Sequence, residues 1–337
     1  MAPRLRSTGV LTLAASLTAL AACARQSAPL GAAPAATAAP VDSAAAAADA
    51  RIAADVTWLA SPARGGRLAG SREANDVAAF LVRRYQALGL AGAFAASCAG
   101  LDCVPAYSQR FDIPGGGSGQ NVAARVPGRD SALAGEVVIV GAHRDHIGRN
   151  AFMSMDPDAS DPDLPPTLHP GADDNASGTA AVLELARHLA ARPARRTVLV
   201  VHFDAEEEGR YGSGAFTQRP PVPRAAVKLM VNLDMVGRLR ADRLYIEVAR
   251  GGRPVEQLAD SATRAAALRP ESTGEIAGRS DHASFADWKV PALALFTGFH
   301  SDYHRGSDIA ARVNVPGILR VVDVAESIVR AAADRPR

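Results

Sequence analysis

The sequence predicts an α/β protein, a three-layer α/β/α sandwich around a mixed, mostly parallel central sheet. Continuous apolar runs such as Val137 to Val140 and Val198 to Val201 are typical of strands buried on both faces. Helical periodicity appears between them, as in the segment that carries Val182, Leu185 and Leu189. Strands that alternate with helices favour a parallel sheet. Ligand sites in such sheets gather beyond the carboxyl ends of the strands.

The amino terminus is typical of an exported protein. Arg4 and Arg6 precede an apolar stretch from Val10 to Leu20 that is too short to span a bilayer. Residues 1–22 are therefore predicted to be a signal peptide. The sequence that ends at Cys23 resembles the cleavage box of bacterial lipoproteins, in which the cysteine is lipidated and becomes the new amino terminus. An ordinary secretory signal cleaved at an Ala-x-Ala site is the alternative.

The rest of the chain is predicted to be one tethered domain. Residues 23–48 are rich in alanine, proline and serine, which predicts a disordered tether. Residues 49–337 have the length of a single large α/β domain and contain no internal repeat or linker. We expect a lipoprotein of the cell envelope that faces the periplasm, anchored to the outer membrane only through Cys23. A net charge of +2 with dispersed basic residues predicts no nucleic-acid partner.

Cysteine usage agrees with export. With Cys23 lipidated, Cys98 and Cys103 remain, and they lie close together in a surface-like insertion. An oxidising compartment allows a local disulfide between them. Zinc binding by this pair is disfavoured because no other cysteine completes a thiolate site, and two free thiols are a further alternative.

Before the first ligand segment, the chain predicts two helices and two strands. The helices lie between Asp49 and Leu90, and the second, from Arg72, is amphipathic. Gly115 to Gly117 predict a turn between the strands Tyr107 to Ile113 and Asn121 to Val126. The later segment Asn150 to Pro170 is rich in Asp and Pro and is predicted to be a loop at the rim of a cleft.

Five residues able to bind metal stand in five separated segments, nearly all at the exit of an apolar run: His143, Asp173, Glu207, Asp234 and His304. Imidazole and carboxylate are ligands that zinc accepts. Three carboxylates and one hydroxide balance the charge of two divalent cations, which makes burial of the whole site tolerable. Two metals can hold a water between them and polarise a carbonyl, and Glu206 stands next to a ligand as a candidate general base.

The surrounding motifs are more specific. The chain contains, in this order, VIVGAHRDHIG, GADDNASGTAAVLELA, FDAEEEG, VNLDMVGR, RSDHASF and SDYHRGSD. These segments resemble the motifs of the co-catalytic dizinc aminopeptidases of metallopeptidase family twenty-eight, over the range Ser71 to Val329. The resemblance implies the zinc-dependent exopeptidase fold. It also implies hydrolysis of the amino-terminal bond of peptides with a free amino terminus.

The resemblance further implies two Zn²⁺ per chain. His143 and Asp234 would hold one ion, Glu207 and His304 the other, and Asp173 would bridge them. The family commonly has a cis peptide after its bridging aspartate, which here is the bond between Asp173 and Asp174.

Supporting roles also follow from the resemblance. Glu206 would be the general base, Tyr303 would donate to the tetrahedral oxyanion, and Asp145 would orient His143 from behind. Arg144 stands where relatives often carry an aromatic or small residue, and we expect it at the cleft edge.

The histidines outside the predicted ligand set fall into two groups according to their position in the motifs. His146 and His282 match motif positions near the cleft, whereas His169 and His300 are predicted to be ordinary loop residues.

Two other functions fit the same motifs. A glutaminyl cyclase shares the fold but works with one catalytic zinc, and a catalytically inactive binding domain has usually lost ligands or the base. The five-ligand set and the Glu206-Glu207 pair argue against both. Dipeptidases and carboxypeptidases share the scaffold too, so the amino-terminal direction rests on resemblance.

Overall fold

The structure is a computed structural model that describes residues 43–99, 102–104, 106–272 and 279–336. Residues 97–99 and 102–104 are described by their backbone alone. The predicted signal peptide, Cys23 and most of the predicted tether lie outside the described residues. Within the described ranges, no helix combines the length and the hydropathy needed to cross a membrane.

A mixed sheet of nine strands forms the middle layer of the described chain. The strands of the sheet lie side by side in the order β1, β5, β7, β6, β8, β11, β9, β10, and β4 pairs with β5. The strands, including the small hairpin β2 and β3, are β1 Ala91–Gly92, β2 Ser97–Ala99, β3 Asp102–Val104, β4 Ser108–Asp112, β5 Ser118–Val126, β6 Val137–His143, β7 Thr197–Phe203, β8 Val227–Leu233, β9 Arg243–Arg250, β10 Arg269–Ser272 and β11 Ala292–Phe296.

The four central strands β7, β6, β8 and β11 are parallel to one another. Ile139 of β6 pairs with Leu199 on one side and Met230 on the other. Strand β5 flanks this centre antiparallel to β7, and β9 flanks it antiparallel to β11. The mixed, mostly parallel sheet is therefore confirmed, and four carboxyl ends meet at one edge.

Helices cover both faces of the sheet, which confirms the three-layer architecture. Val138 and Val140 pack with the larger helical layer, formed by α1, α2, α3, α5 and α7. Val137 and Ile139 point to the opposite face, where α4 and α6 contribute Phe216 and Phe285. The helices are α1 Ser43–Leu59, α2 Arg72–Ala87, α3 Gly178–Ala191, α4 Tyr211–Gln218, α5 Gly252–Ala265, α6 His282–Asp287 and α7 Val315–Ala333.

The folded part begins earlier than predicted. Helix α1 begins at Ser43, inside the segment assigned to the tether. Alanine is the best helix former, and Ala48 and Ile52 are buried in the core. The two predicted helices before residue 90 are both present, and Ser71 caps α2 by accepting a bond of 3.0 Å from the backbone of Ala74.

The two predicted strands after these helices are also present, as β4 and β5. The backbone of the hairpin places Cys98 directly opposite Cys103. The side chains of this pair lie outside the described part, so their disulfide stays a prediction.

Candidate metal centre

The central strands deliver polar side chains to one edge of the sheet. Strand β6 ends at His143, Asp234 directly follows β8, and Glu207 lies four residues beyond the end of β7. Asp174 comes from the π-helical turn Ala172–Ser177 ahead of α3. His304 lies in the loop that follows β11. These residues form two groups of potential ligand atoms that share Asp174.

The first group consists of His143, Asp174 and Asp234, and is called the His143 group. His143 Nε2 lies 3.2 Å from Asp174 Oδ1 and 3.2 Å from Asp234 Oδ1. Asp145 Oδ1 lies behind the ring, 3.7 Å from Nδ1. Both of these rear atoms are buried and have no hydrogen-bond partner among the described residues. Asp145 thus favours the tautomer that leaves a lone pair on Nε2.

The second group consists of His146, Asp174, Glu207 and His304, and is called the His304 group. His304 Nε2 lies 3.1 Å from Glu207 Oε2 and 3.3 Å from Asp174 Oδ2. His304 Nδ1 donates to the carbonyl oxygen of Met153 at 2.9 Å. This bond commits Nδ1 to the backbone, so Nε2 is the ring atom available to a metal ion beside the two carboxylates.

His146 has a contact that the sequence did not predict. Its Nδ1 lies 2.7 Å from Glu207 Oε1 and 3.9 Å from Asp174 Oδ2. Glu207 therefore faces His304 with one oxygen and His146 with the other. The one sequence signal was the position of His146 directly after Asp145 in the first motif.

The predicted place of Asp173 between the two groups is wrong. Asp173 Oδ1 accepts hydrogen bonds from the backbone of Gly237 at 2.6 Å and from Ser177 Oγ at 3.0 Å. Its Oδ2 lies 3.0 Å from His300 Nε2. The carboxylate of Asp173 thus fastens the neighbouring loops, and Asp174 faces the cleft.

The predicted cis bond is wrong by one residue in the same direction, because it lies between Asp174 and Asn175. His300, predicted to be an ordinary loop residue, has a side chain that is only 3% exposed and contacts Asp173. Two adjacent aspartates are alike in sequence, and the path of the turn decides which of them enters the cleft.

Arg144 is not at the cleft edge. Its side chain is fully buried, lies 2.7 Å from Asp204 Oδ2 and donates to the carbonyl oxygens of Ala74 and Gln120. A buried guanidinium with these partners joins α2 and β5 to the start of the metal-centre loop.

Arg67 supports the same loop from beneath, a role that no motif in the sequence predicted. Its guanidinium is fully buried, and burial lowers its pKa to about 10, so it stays charged at neutral pH. The preceding Gly66 has φ 69°, and a Cβ there would lie 2.5 Å from the carbonyl oxygen of His169. The guanidinium donates to the carbonyl oxygens of Leu59, Arg144, Pro170, Gly171 and Asp174.

A cavity of about 200 Å³ opens onto both groups, and Glu206 and Tyr303 line it together with Met235 and Phe296. Burial raises the pKa of Glu206 well above its ordinary value, and the nearby carboxylates of Asp281 and Asp234 add to this. Burial raises the pKa of Tyr303, and the carboxylates of Asp174 and Glu207 raise it further. The Tyr303 hydroxyl therefore keeps its proton and can act as a donor.

The donor atoms fit zinc. Ligands bound tetrahedrally at about 2.0–2.1 Å lie roughly 3.3 Å from one another, which matches the separations of 3.1–3.3 Å around His143 and His304. His304 Nε2 is buried, yet it makes no hydrogen bond to the carboxylates it faces. Burial lowers the pKa of His304, but Asp174 and Glu207 outweigh it and raise the pKa to about 10. The ligand atoms of each group are thus placed to bind a metal cation between them.

A family model described as Peptidase family M28 matches residues 121–329. Leucine aminopeptidase 1 of Aspergillus fumigatus is 36% identical over 136 residues, which are 38% of this chain and 30% of that enzyme. The uncharacterized protein YfbL of Escherichia coli strain K12 is 30% identical over 245 residues, which cover 63% of this chain and 71% of that protein. The chain therefore spans less than a third of the length of the fungal enzyme.

Solved structures share the fold. The aminopeptidase from Aneurinibacillus sp. strain AM-1 has a TM-score of 0.66 at 17% identity, covering 86% of this chain and 95% of that chain. A glutaminyl cyclase from Bacteroides thetaiotaomicron has a TM-score of 0.65 at 18% identity, covering 85% of this chain and 97% of that chain. Identities this low establish a common fold and leave the choice of reaction to the residues of the site.

Proposed function

Because the chain belongs to peptidase family M28, we propose that it is a zinc-dependent aminopeptidase acting on peptides in the cell envelope. The observation that carries the proposal is the pair of ligand groups that share Asp174 inside one cleft. His143 and Asp234 would hold one Zn²⁺, and Glu207 and His304 would hold the other. Asp174, rather than Asp173, would serve both ions.

Zinc bound there would lower the pKa of a water and polarise the scissile carbonyl. Glu206 lines the cavity beside both groups and would take the proton of the attacking water and return it to the leaving amine. Tyr303, which keeps its proton, would donate to the oxyanion. Asp145 would keep the Nδ1 proton of His143 in place, and His146 would hold the carboxylate of Glu207.

The free α-amine of the substrate would be held at the closed end of the cleft. Glu206 and Asp234 line the cavity and could accept hydrogen bonds from an ammonium group. An acetyl cap removes the charge and leaves these buried acceptors unpaired, which costs several kcal/mol, on the order of a hundredfold or more in rate.

The direct test compares leucine p-nitroanilide with its acetylated form on zinc-loaded protein. We expect turnover of the free substrate, strongest for apolar first residues, and at least about a hundredfold less of the capped one. Equal rates on both would contradict the aminopeptidase proposal. Release of residues only from the carboxyl end of a peptide would contradict it as well.

A glutaminyl cyclase with one catalytic zinc is the second candidate, and the fold comparison supports it. The presence of a second ligand group beside Asp174 favours the peptidase. If the protein cyclised a peptide with an amino-terminal glutamine and hydrolysed no peptide bond, the glutaminyl cyclase would become the preferred function.

We also propose that the enzyme is a lipoprotein with a disulfide. The Cys23 motif supports the anchor, and the backbone pairing of Cys98 with Cys103 supports the disulfide. Cys23→Ser should release soluble enzyme without an acyl mass. Mass spectrometry of the wild type should find Cys98 joined to Cys103, and two free thiols there would contradict the disulfide.

A further inference from the structure

A second cavity of about 260 Å³ lies next to the metal-centre cavity. The two cavities share four lining residues, Glu247, Arg279, Phe296 and Phe299. We call the second one the basic cavity, because it is lined by Arg240, Arg243 and Arg279, with Tyr245 and Thr297 between them. A substrate group that leaves the metal centre on this side enters a space with three guanidinium groups.

The three arginines have few acidic partners in the described part of the chain, so their positive charge is available to a ligand. Arg240 donates to the carbonyl oxygen of Phe299 at 2.9 Å, and Arg279 lies 5.7 Å from the centre of the Phe299 ring. Neither forms an ion pair with an acid in the described part of the chain. Arg243 faces Glu271 across 3.7 Å, with both side chains substantially exposed, and such a pair contributes little.

Nearby arginines are different. Arg238 pairs with Asp308 at 2.9 Å and also faces Asp302. Arg320 pairs with Asp242. The chain thus neutralises the arginines that stabilise this region and leaves those that line the cavity available.

One acid lies among these cations. Glu247 is buried in the wall between the two cavities, with His282 Nε2 3.6 Å from its Oε2. Among the residues that line the basic cavity, three guanidinium groups stand against one carboxylate. Even when the exposed Glu271 beside Arg243 is counted, positive charge is in excess, which favours an anion.

We propose that the basic cavity is a substrate subsite that binds a carboxylate group of the peptide. This inference rests on the proposed aminopeptidase function and specifies its substrate class: peptides that bring a negative charge close to the scissile bond. Arginine is suited to this task because its planar fork donates two hydrogen bonds to one carboxylate. The carboxylate is either the free carboxyl end of a very short peptide or the side chain of an acidic residue.

The test uses steady-state kinetics on substrate pairs that differ by one charge. Leu-Ala and Leu-Ala-Ala are compared with their carboxyl-terminal amides, and glutamyl p-nitroanilide with glutaminyl p-nitroanilide. We expect kcat/KM to favour the charged member of at least one pair about tenfold. A preference within the Leu-Ala pairs assigns the carboxyl end, and a preference for the glutamyl substrate assigns an acidic first residue.

The variant Arg240→Gln/Arg243→Gln should reduce this preference to nearly one. Its turnover of leucine p-nitroanilide, which has no carboxylate, should remain within about twofold of wild type. Arg253→Gln is the matched control, because Arg253 is an exposed arginine of α5 that lines neither cavity. The preference in wild type should also decline as salt is added.

The outcomes separate the two proposals. Equal rates within every charged and uncharged pair, with normal turnover of leucine p-nitroanilide, would overturn the carboxylate subsite and leave the aminopeptidase standing. An unchanged preference in the double variant would also overturn it. Absence of turnover on every free-amine substrate would instead overturn the aminopeptidase proposal itself.

Discussion

Two clusters of charged side chains in this protein look alike in composition and differ in purpose. One is the metal centre, and the other joins α3 to α7, where His188 lies between Glu184 and Glu326. His188 Nδ1 is 2.7 Å from Glu326, and Nε2 is 3.4 Å from Glu184. Arg51 pairs with Glu184 and Arg330 pairs with Glu326. Each acid of this helical cluster thus has a cation supplied by the chain.

The pKa values show the balance. Hydrogen bonds from Glu184 and Glu326 raise the pKa of His188 to about 9. Burial raises the pKa of Glu184, but the bonds from Arg51 and His188 outweigh it and hold the pKa at about 2. The helical cluster is stable without any further ion, so it serves the fold.

The metal centre lacks such balance. Asp174, Glu206, Glu207 and Asp234 line one cavity. The buried guanidinium beneath them, Arg67, donates to backbone carbonyls and does not pair with these carboxylates. Burial lowers the pKa values of His143 and His304, but their acidic neighbours outweigh it and raise both. Two imidazolium groups still do not balance four carboxylates, so a cation from outside would stabilise the cluster. Charge balance therefore distinguishes the functional cluster from the structural one.

The largest effect is expected from removing the shared ligand. Asp174→Asn should lose zinc from both groups and all measurable turnover, because one carboxylate serves two ions. Asp173→Asn is the matched control and should retain both ions, with affinity lowered by no more than about 10–100-fold. Elemental analysis after dialysis measures this, and zinc loss confined to the Asp173 variant would return that residue to the bridging role.

A second comparison separates the base from its neighbour. Glu206→Gln should keep both ions and lower kcat by about 10²–10⁴-fold with little change in KM, because proton transfer is removed while ligands stay. Glu207→Gln should lose zinc from the His304 group. Kinetics together with zinc content tests both, and the opposite pattern would show that the roles are exchanged.

Substitution of Arg67 tests how the loop that carries Asp174 is held in place beneath the metal centre. Arg67→Met leaves buried carbonyls without donors, and we expect a loss of about 3–5 kcal/mol in the free energy of unfolding. Arg67→Lys should recover part of this loss. Both variants should also release zinc more readily to a chelator, since Asp174 loses a backbone contact. Unchanged zinc affinity in a folded Arg67→Lys protein would limit the role of Arg67 to stability.

The smallest effect belongs to the helical cluster and depends on pH. The pKa of His188 is raised from 6.5 to about 9, so its contribution is complete below pH 6.5 and disappears as pH rises through 9. The pKa of Glu326 is lowered from 4.5 to about 2, so its contribution is lost as pH falls through 2. His188→Gln should flatten the alkaline decline in urea unfolding and leave zinc content unchanged. An equally steep decline in the variant would remove His188 as its cause.

The sequence predicted the sheet and the strand exits because buried parallel strands leave long apolar runs, and His143, Glu207 and Asp234 follow such runs directly. It did not decide between Asp173 and Asp174, since both stand in the same turn. That choice depends on backbone direction and on partners far along the chain, such as Gly237.

The missed residues share a cause. Arg67 acts on backbone carbonyls, which have no sequence signature, and His146 contacts Glu207 across 61 positions of the chain. The basic cavity draws Arg240 and Arg279 from separate segments, so no local pattern predicts it. Burial of Ala48 likewise brought α1 into a segment whose composition predicted disorder.

Asp174 is proposed to serve two ions. The most direct measurement is an anomalous difference map at the zinc edge from crystals of the zinc-loaded protein. We expect two peaks, one beside His143 and Asp234 and one beside Glu207 and His304, on either side of the Asp174 carboxylate. A single peak, or two peaks on either side of Asp173, would contradict it.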